Sequence, residues 1–293
     1  MHYTGNEIYR PPLEARTPLL EVTRGCSHNK CVFCTMYQRT PFSLAPKENI
    51  ISDLEELAFY YPNLERIYLL NGDPFALSFE KLKEIGELIH KYLPNIKTIT
   101  SYASFYNMKN KTVAELKELK KLGFDELYIG VETAYEPALL KINKGCNLEE
   151  YKESLGKIKE AGLSYHAILM MGVAGRGNSE INAKATAKFL NIYPAKSVFP
   201  MTTSVQYGSE LYKMREKGDF EEASLGEIIK EQIVLVENLD YPDETLFSSG
   251  HMVNLINISH RFKNKDKILE KLNYALENLS PEILNSTNER QAR

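Results

Sequence analysis

Short, almost unbroken apolar runs recur along the chain at residues 18–22, 66–70, 96–100, 126–131, 166–171 and 197–199. A run of about five residues without polar alternation suits a strand buried on both faces of a parallel sheet. Between the runs, apolar positions recur at helical spacing. Ile50, Ile51, Leu54, Leu57 and Ala58 share one face, as do Phe79, Leu82, Ile85 and Ile89. Thr112-Val113-Ala114-Glu115 is a capping box that opens a further helix, and Gly123 closes it. Six strand–helix repeats over residues 16–205 predict an α/β fold, a partial (β/α)6 TIM-like barrel rather than a complete eightfold one. A doubly wound sheet obeys the same pattern.

The rhythm changes near Leu211. Helical stretches at 209–217 and 221–239 precede an apolar stretch at 245–258 and a last amphipathic helix at 266–279. The polar tail after Pro281 is expected to fray. The chain therefore divides into an N-terminal segment (1–15), a core barrel (16–205) and a small, mainly helical C-terminal extension (206–293).

Composition changes this picture little. The 293 residues are 43% hydrophobic and 26% charged, enough for one large domain with an appendage. A net charge of −3 gives no global cationic field, so nucleic acid is not an expected partner. No run of apolar residues is long enough to span a membrane, and residues 1–5 lack the apolar core of a secretory signal. Of four cysteines, three fall between Cys26 and Cys34. A disulfide framework spreads its cysteines, so the clustering predicts a metal site in a reducing cytoplasm.

Those cysteines lie in Thr23-Arg24-Gly25-Cys26-Ser27-His28-Asn29-Lys30-Cys31-Val32-Phe33-Cys34, a C-x4-C-x2-C spacing directly after the first strand. In a barrel the loops at the strands' C-terminal ends carry the active site. Three thiolates on one loop can hold three irons of a [4Fe–4S] cube and leave the fourth open. Zinc is the competing reading, with Cys26, Cys31, Cys34 and His28 as a Cys3His set.

The segment resembles the signature loop of the radical S-adenosylmethionine (SAM) superfamily, including the aromatic before the last cysteine, Phe33. It departs from the commonest spacing by one residue in the first gap. The resemblance implies that Cys26, Cys31 and Cys34 ligate the cluster, that Phe33 covers it near the adenine, and that SAM chelates the open iron.

Later strand ends extend the resemblance. Leu70-Asn71-Gly72-Asp73-Pro74 is similar to a Gly-Gly-Glu-Pro-like segment that holds the SAM amino group, with Asn71 and Asp73 replacing glycine and glutamate around Gly72. Read alone it is a Gly-Asp-Pro turn. Glu132, in Gly130-Val131-Glu132-Thr133, resembles the glutamate of a Gly-Val-Glu-Ser segment in the SAM site; the plain alternative is an acid at the start of the next helix. Met170 to Asn178 is similar to the adenine-contacting motif after strand five, in which Gly172 and Gly175 allow close backbone approach and Arg176 offers a guanidinium to the SAM carboxylate. Ser101 and Ser104 are candidate ribose or carboxylate contacts. Cys146 stands apart as a free thiol.

The chemistry implied is reductive cleavage of SAM to a 5′-deoxyadenosyl radical, which removes a hydrogen atom from a substrate. An external one-electron donor, flavodoxin- or ferredoxin-like, is implied as partner. The absence of a basic tract favours a small-molecule substrate, with a tRNA- or protein-modifying enzyme, or a non-catalytic zinc- or cluster-binding barrel, as alternatives. His251 and Asn254, two polar side chains in the C-terminal apolar stretch, are candidate substrate contacts.

Overall fold

The computed structural model describes residues 1–3 and 8–290. They fall into two compact units interleaved in sequence. The first comprises Met1–Asn29, Met36–Gly130 and Glu153–Tyr165; the second comprises Lys30–Thr35, Val131–Lys152 and His166–Arg293.

The first unit opens with strands β1 (Leu19–Glu21), β2 (Thr23–Arg24) and β3 (Ser43–Leu44), then helix α1 (Lys47–Tyr60), β4 (Arg66–Leu70) and α2 (Phe79–Tyr92). It continues through β5 (Thr98–Ala103), α3 (Phe105–Met108), α4 (Val113–Lys121) and most of β6 (Leu127–Glu132). Strands β1, β4, β5 and β6 are neighbours in that order. All three pairings are parallel, with Leu19 opposite Tyr68, Arg66 opposite Thr98 and Tyr102 opposite Tyr128. Leu20, Ile67, Leu69, Ile99 and Leu127 are fully buried, as uninterrupted apolar strands require. The capping box of α4 forms as the sequence predicts: Thr112 Oγ1 accepts the Glu115 N–H, and the Glu115 carboxylate accepts the Thr112 N–H.

The second unit carries α5 (Glu136–Lys141), the first turn of α6 (Leu148–Ala161), β7 (Tyr165–Met171) from His166 onward, α7 (Ser179–Leu190) and β8 (Ser197–Thr202). It ends with α8 (Glu210–Glu216), α9 (Leu225–Asn238), β9 (Leu246–Ser248), β10 (Ser259–Arg261), α10 (Lys265–Asn278) and α11 (Pro281–Asn285). Strands β7, β8 and β9 run parallel, and β10 pairs antiparallel with β9.

The apolar stretch 245–258 contributes strand β9, which joins the parallel set, and a loop leading to β10. One expectation needs correction: the tail after Pro281 is ordered as far as Arg290, the last described residue. It forms α11; Leu225 N–H then donates to Ser286 O at 2.9 Å, and the buried Asn288 donates to Thr203 O at 3.3 Å. Backbone partners and burial order a polar tail that composition alone leaves unsupported. Among the described residues no helix is long and apolar enough to cross a membrane.

Candidate active site

In the first unit the cysteine loop leaves β1 through the β2–β3 hairpin. Gly25 has φ +70°, and a Cβ there would lie 2.5 Å from Thr40 O, so only glycine fits. Cys26 follows, half-buried and in no disulfide among the described residues. Beside it, Ser27 anchors on Asp73: its N–H donates to Oδ2 at 3.3 Å, and its hydroxyl donates to the same oxygen. The other carboxylate oxygen of the buried Asp73 accepts the Asn107 amide.

Asn71 takes φ +78° at the end of β4. Its amide donates to Glu21 Oε2 at 3.0 Å and to Thr23 O at 2.8 Å, tying the turn to the strand that enters the cysteine loop. Gly72 lies against Tyr37, where a Cβ would come within 2.5 Å of Cε2. Ser104 caps α3 by accepting the Asn107 N–H. Ser101 is buried, and its hydroxyl has no hydrogen-bond partner among the described residues. An unspent buried hydroxyl is the kind of group a ligand completes. Lys111 is also buried here, its ammonium donating to Phe75 O at 2.9 Å. Burial pushes its pKa down to about 8 against the opposing charges of Asp73 and Glu115.

In the second unit Cys31 and Cys34 share one turn, closed by Cys34 N–H donating to Cys31 O at 3.1 Å. Both are half-buried and in no disulfide among the described residues. Val32 fixes the turn twice, donating to Ile142 O at 3.1 Å and accepting from Leu211 N–H at 2.7 Å. Phe33 packs on the apolar cluster of Val205, Leu211 and Phe220. The Lys144 ammonium lies 6.0 Å from the Phe33 ring centroid and 2.9 Å from Glu132 Oε1. Burial works against this cation, yet Glu132 and the nearby Cys31 hold its pKa well above the ordinary lysine value. Glu132 itself is buried at φ +60°.

Gly172, at φ +81°, donates its N–H to Glu231 Oε2 at 2.8 Å, and Gly175 follows at φ +83°. Arg176 sits on the surface: its 2.7 Å pair with Glu221 joins side chains 44% and 72% exposed. Asn254 is fully committed within the fold. Its oxygen accepts the Thr202 N–H and hydroxyl, and its amide donates to Pro200 O and Ser249 O, all within 2.9 Å. These bonds hold the end of β8. His251 is half-buried, its Nδ1 accepts the Val253 N–H at 3.3 Å, and burial lowers its pKa. The groups not anticipated from sequence are Ser27, Asn107, Lys111, Lys144 and Glu231. Only Lys144 left a trace, as one of two lysines in the segment after a strand-end carboxylate.

Of the three cysteines, Cys26 belongs to the first unit, and Cys31 and Cys34 to the second. Among the described residues no three His, Cys, Asp or Glu side chains define a metal site by geometry alone.

Residues 20–190, more than half of the sequence, match the Radical SAM superfamily domain, and the chain belongs to that superfamily. Its members are enzymes that use a [4Fe–4S] cluster and SAM. Among curated proteins the chain is similar to the heme chaperone HemW of Bacillus subtilis, with 28% identity over 116 residues, 39% of this chain and 31% of that protein. It is also similar to HemW of Buchnera aphidicola, with 24% identity over 161 residues, 52% of this chain and 42% of that one. The chain thus spans less than half the length of these relatives.

Solved structures share the fold at low identity. Coproporphyrinogen III oxidase (HemN) from Escherichia coli aligns with TM-score 0.55 and 14% identity, over 83% of this chain and 55% of that one. Methylornithine synthase (PylB) aligns with TM-score 0.54 and 15% identity, over 94% and 75%. The α/β class predicted from the strand–helix rhythm is therefore the one this superfamily uses.

Proposed function

We propose that Cys26, Cys31 and Cys34 ligate three irons of the [4Fe–4S] cluster, and that the enzyme abstracts a hydrogen atom from a small-molecule substrate. The observation that carries this reading is the superfamily match over residues 20–190, which contains all three cysteines on one loop. The donor set fits the cluster, since thiolates are the ligands such clusters take and these three cysteines are half-buried and in no disulfide among the described residues. When bound, the cluster supplies one electron for the reductive cleavage of SAM to methionine and a 5′-deoxyadenosyl radical.

The chain's own residues orient the reactants. Asp73 holds Ser27, and so the backbone beside Cys26, while Lys144 sets a half-buried positive charge near Cys31, favouring the thiolate form that binds iron. Asn71–Asp73, the buried Ser101 hydroxyl, Glu132 and the Gly172–Gly175 turn supply the polar atoms and close-approach backbone for SAM. Phe33 shields the site from water. Arg176 and His251 lie within reach of solvent and serve, in this reading, the outer parts of SAM and substrate; Asn254 supports the substrate side from behind β8. Superfamily members need an external electron donor; a flavodoxin- or ferredoxin-like protein is proposed here.

Anaerobic reconstitution with iron and sulfide tests the reading. A broad absorption at about 400 nm and release of 5′-deoxyadenosine on reduction are expected. Cys31→Ala should abolish both, and Cys146→Ala should leave them intact. Colourless protein carrying one zinc per chain refutes it.

The identity to heme chaperones supports a narrower second reading, in which the small molecule is a tetrapyrrole. Hemin titration of the apoprotein decides it: a saturable shift of the Soret band with stoichiometry near one supports it, and unchanged free-hemin spectra reject it.

A further inference from the structure

Two turns of the second unit are tied to a single side chain on α9. Glu231 is fully buried and has no ion-pair partner among the described residues. Its Oε2 accepts the Gly172 N–H at 2.8 Å, and its Oε1 accepts the amide of Asn182, on α7, at 2.5 Å. Asn182 is itself buried, and its Oδ1 accepts the hydroxyl of Thr133, the residue after Glu132. Thr133 Oγ1 accepts in turn from Tyr135 N–H at 2.9 Å.

A buried carboxylate without a cation is a poor way to fill space, because an apolar side chain packs there without the desolvation cost. What the carboxylate adds is directional control over the groups that donate to it. Those groups lead to the turns after β6 and β7, where the chain carries Glu132 and Gly172.

We propose that Glu231 is a positioning residue for SAM, fixing the Gly172 turn directly and the Glu132–Thr133 turn through Asn182. This rests on the reading that these two turns bind SAM.

The relay has a polarity. A carboxylate only accepts, so Asn182 must turn its NH2 group toward Glu231 and its oxygen toward Thr133, whose O–H is thereby engaged. A protonated Glu231 donates instead, the Asn182 amide turns over, and Thr133 becomes the acceptor. Burial pushes the Glu231 pKa up to about 7 against its hydrogen bonds from Asn182 and Gly172, helped by Glu227 one turn earlier on α9. The remaining groups that meet the carboxylate are neutral: Ser179 and Asn182 from α7 and the Gly172 backbone after β7. Helices α10 and α11 also pack on α9, and neither gives the carboxylate a hydrogen bond or ion pair among the described residues. The relay therefore reverses near neutrality.

Calorimetric titration of SAM into reconstituted full-length protein, at about pH 6 and about pH 8, tests the proposal. Wild type should bind at least about threefold more tightly at the higher pH. Glu231→Gln holds the relay in its reversed form and should bind about tenfold more weakly at the higher pH, with the wild-type pH difference gone. The KM for SAM should rise more than kcat falls, at unchanged iron content. Thr133→Val leaves Glu231 buried and hydrogen-bonded but cuts the relay, and should also lose the pH difference. If wild type binds no SAM, it is the proposed function that fails. If wild type binds SAM and both variants keep its affinity and pH difference, the inference is overturned. Should Glu231→Gln not fold, Thr133→Val decides alone, and a retained pH difference overturns the inference.

Discussion

Replacing Asp73 by asparagine separates anchoring from ligand binding at the turn after β4. In the apoprotein the carboxylate accepts from two sides, Ser27 N–H and hydroxyl on one oxygen and the Asn107 amide on the other. Asparagine keeps the shape but has one acceptor oxygen, so it serves one side and turns an N–H toward donors on the other. A hydrogen bond to a charged group contributes about 1.5–3 kcal/mol, and a buried donor left unsatisfied costs about 1–3 kcal/mol. Asp73 and Asn107 are both buried, so screening by water relieves little of this. The expected loss is about 2–4 kcal/mol, a fall in Tm of about 3–7 °C in a chain of this size. Thermal and urea unfolding of the metal-free protein read the anchoring alone, before cluster or SAM enters. The coupling is read by a double-mutant cycle: Ser27→Ala should cost about 0.5–3 kcal/mol less in the Asp73→Asn background than in wild type. An unchanged Tm, together with equal Ser27→Ala costs in both backgrounds, refutes the anchoring role.

Gly72→Ala places a methyl 2.5 Å from Tyr37 Cε2, with a backbone oxygen at 3.1 Å. It should destabilise by about 1–3 kcal/mol in urea unfolding, and most of that loss should disappear in a Tyr37→Leu background. Lys111 gives a pH signature. A base whose folded pKa lies near 8, below the unfolded 10.5, costs stability below pH 8 and ceases to cost it as pH rises through that interval. The cost at neutral pH is about 3 kcal/mol. Wild-type Tm should therefore gain on Lys111→Met as pH is raised from about 7 to about 10, and parallel Tm profiles would show that the ammonium is not held in this way.

The strands were legible because burial on both faces leaves no polar alternation to confuse them. All six apolar runs form strands, most displaced by only a residue or two at either end. Strand β9 was hidden: it has three residues, and only pairing with β8 and β10 defines it. The tail after Pro281 was illegible for the opposite reason, since its order comes from α9 and the segment after β8 rather than from its own composition. At the site, motifs marked the turns but not what holds them. Ser27, Asn107 and Glu231 look like ordinary surface polar residues in sequence; only the fold brings them to Asp73 and Gly172.

Backbone strain distinguishes the two sequence readings of Glu132. An acid that merely favours the next helix through its dipole needs no unusual dihedral. Yet Glu132 takes φ +60°, a region that costs a non-glycine residue about 1–2 kcal/mol. Helix α5 begins only at Glu136, and no side chain caps it. The Glu132 carboxylate points instead to Lys144, 2.9 Å away and half-buried near Cys31. Asn71, at the end of β4, takes the same left-handed conformation, with its amide committed to Glu21 and Thr23. Two strand ends thus leave the sheet through left-handed residues whose side chains are held by buried or half-buried partners. Turns constrained in this way support the proposed role of both in binding SAM.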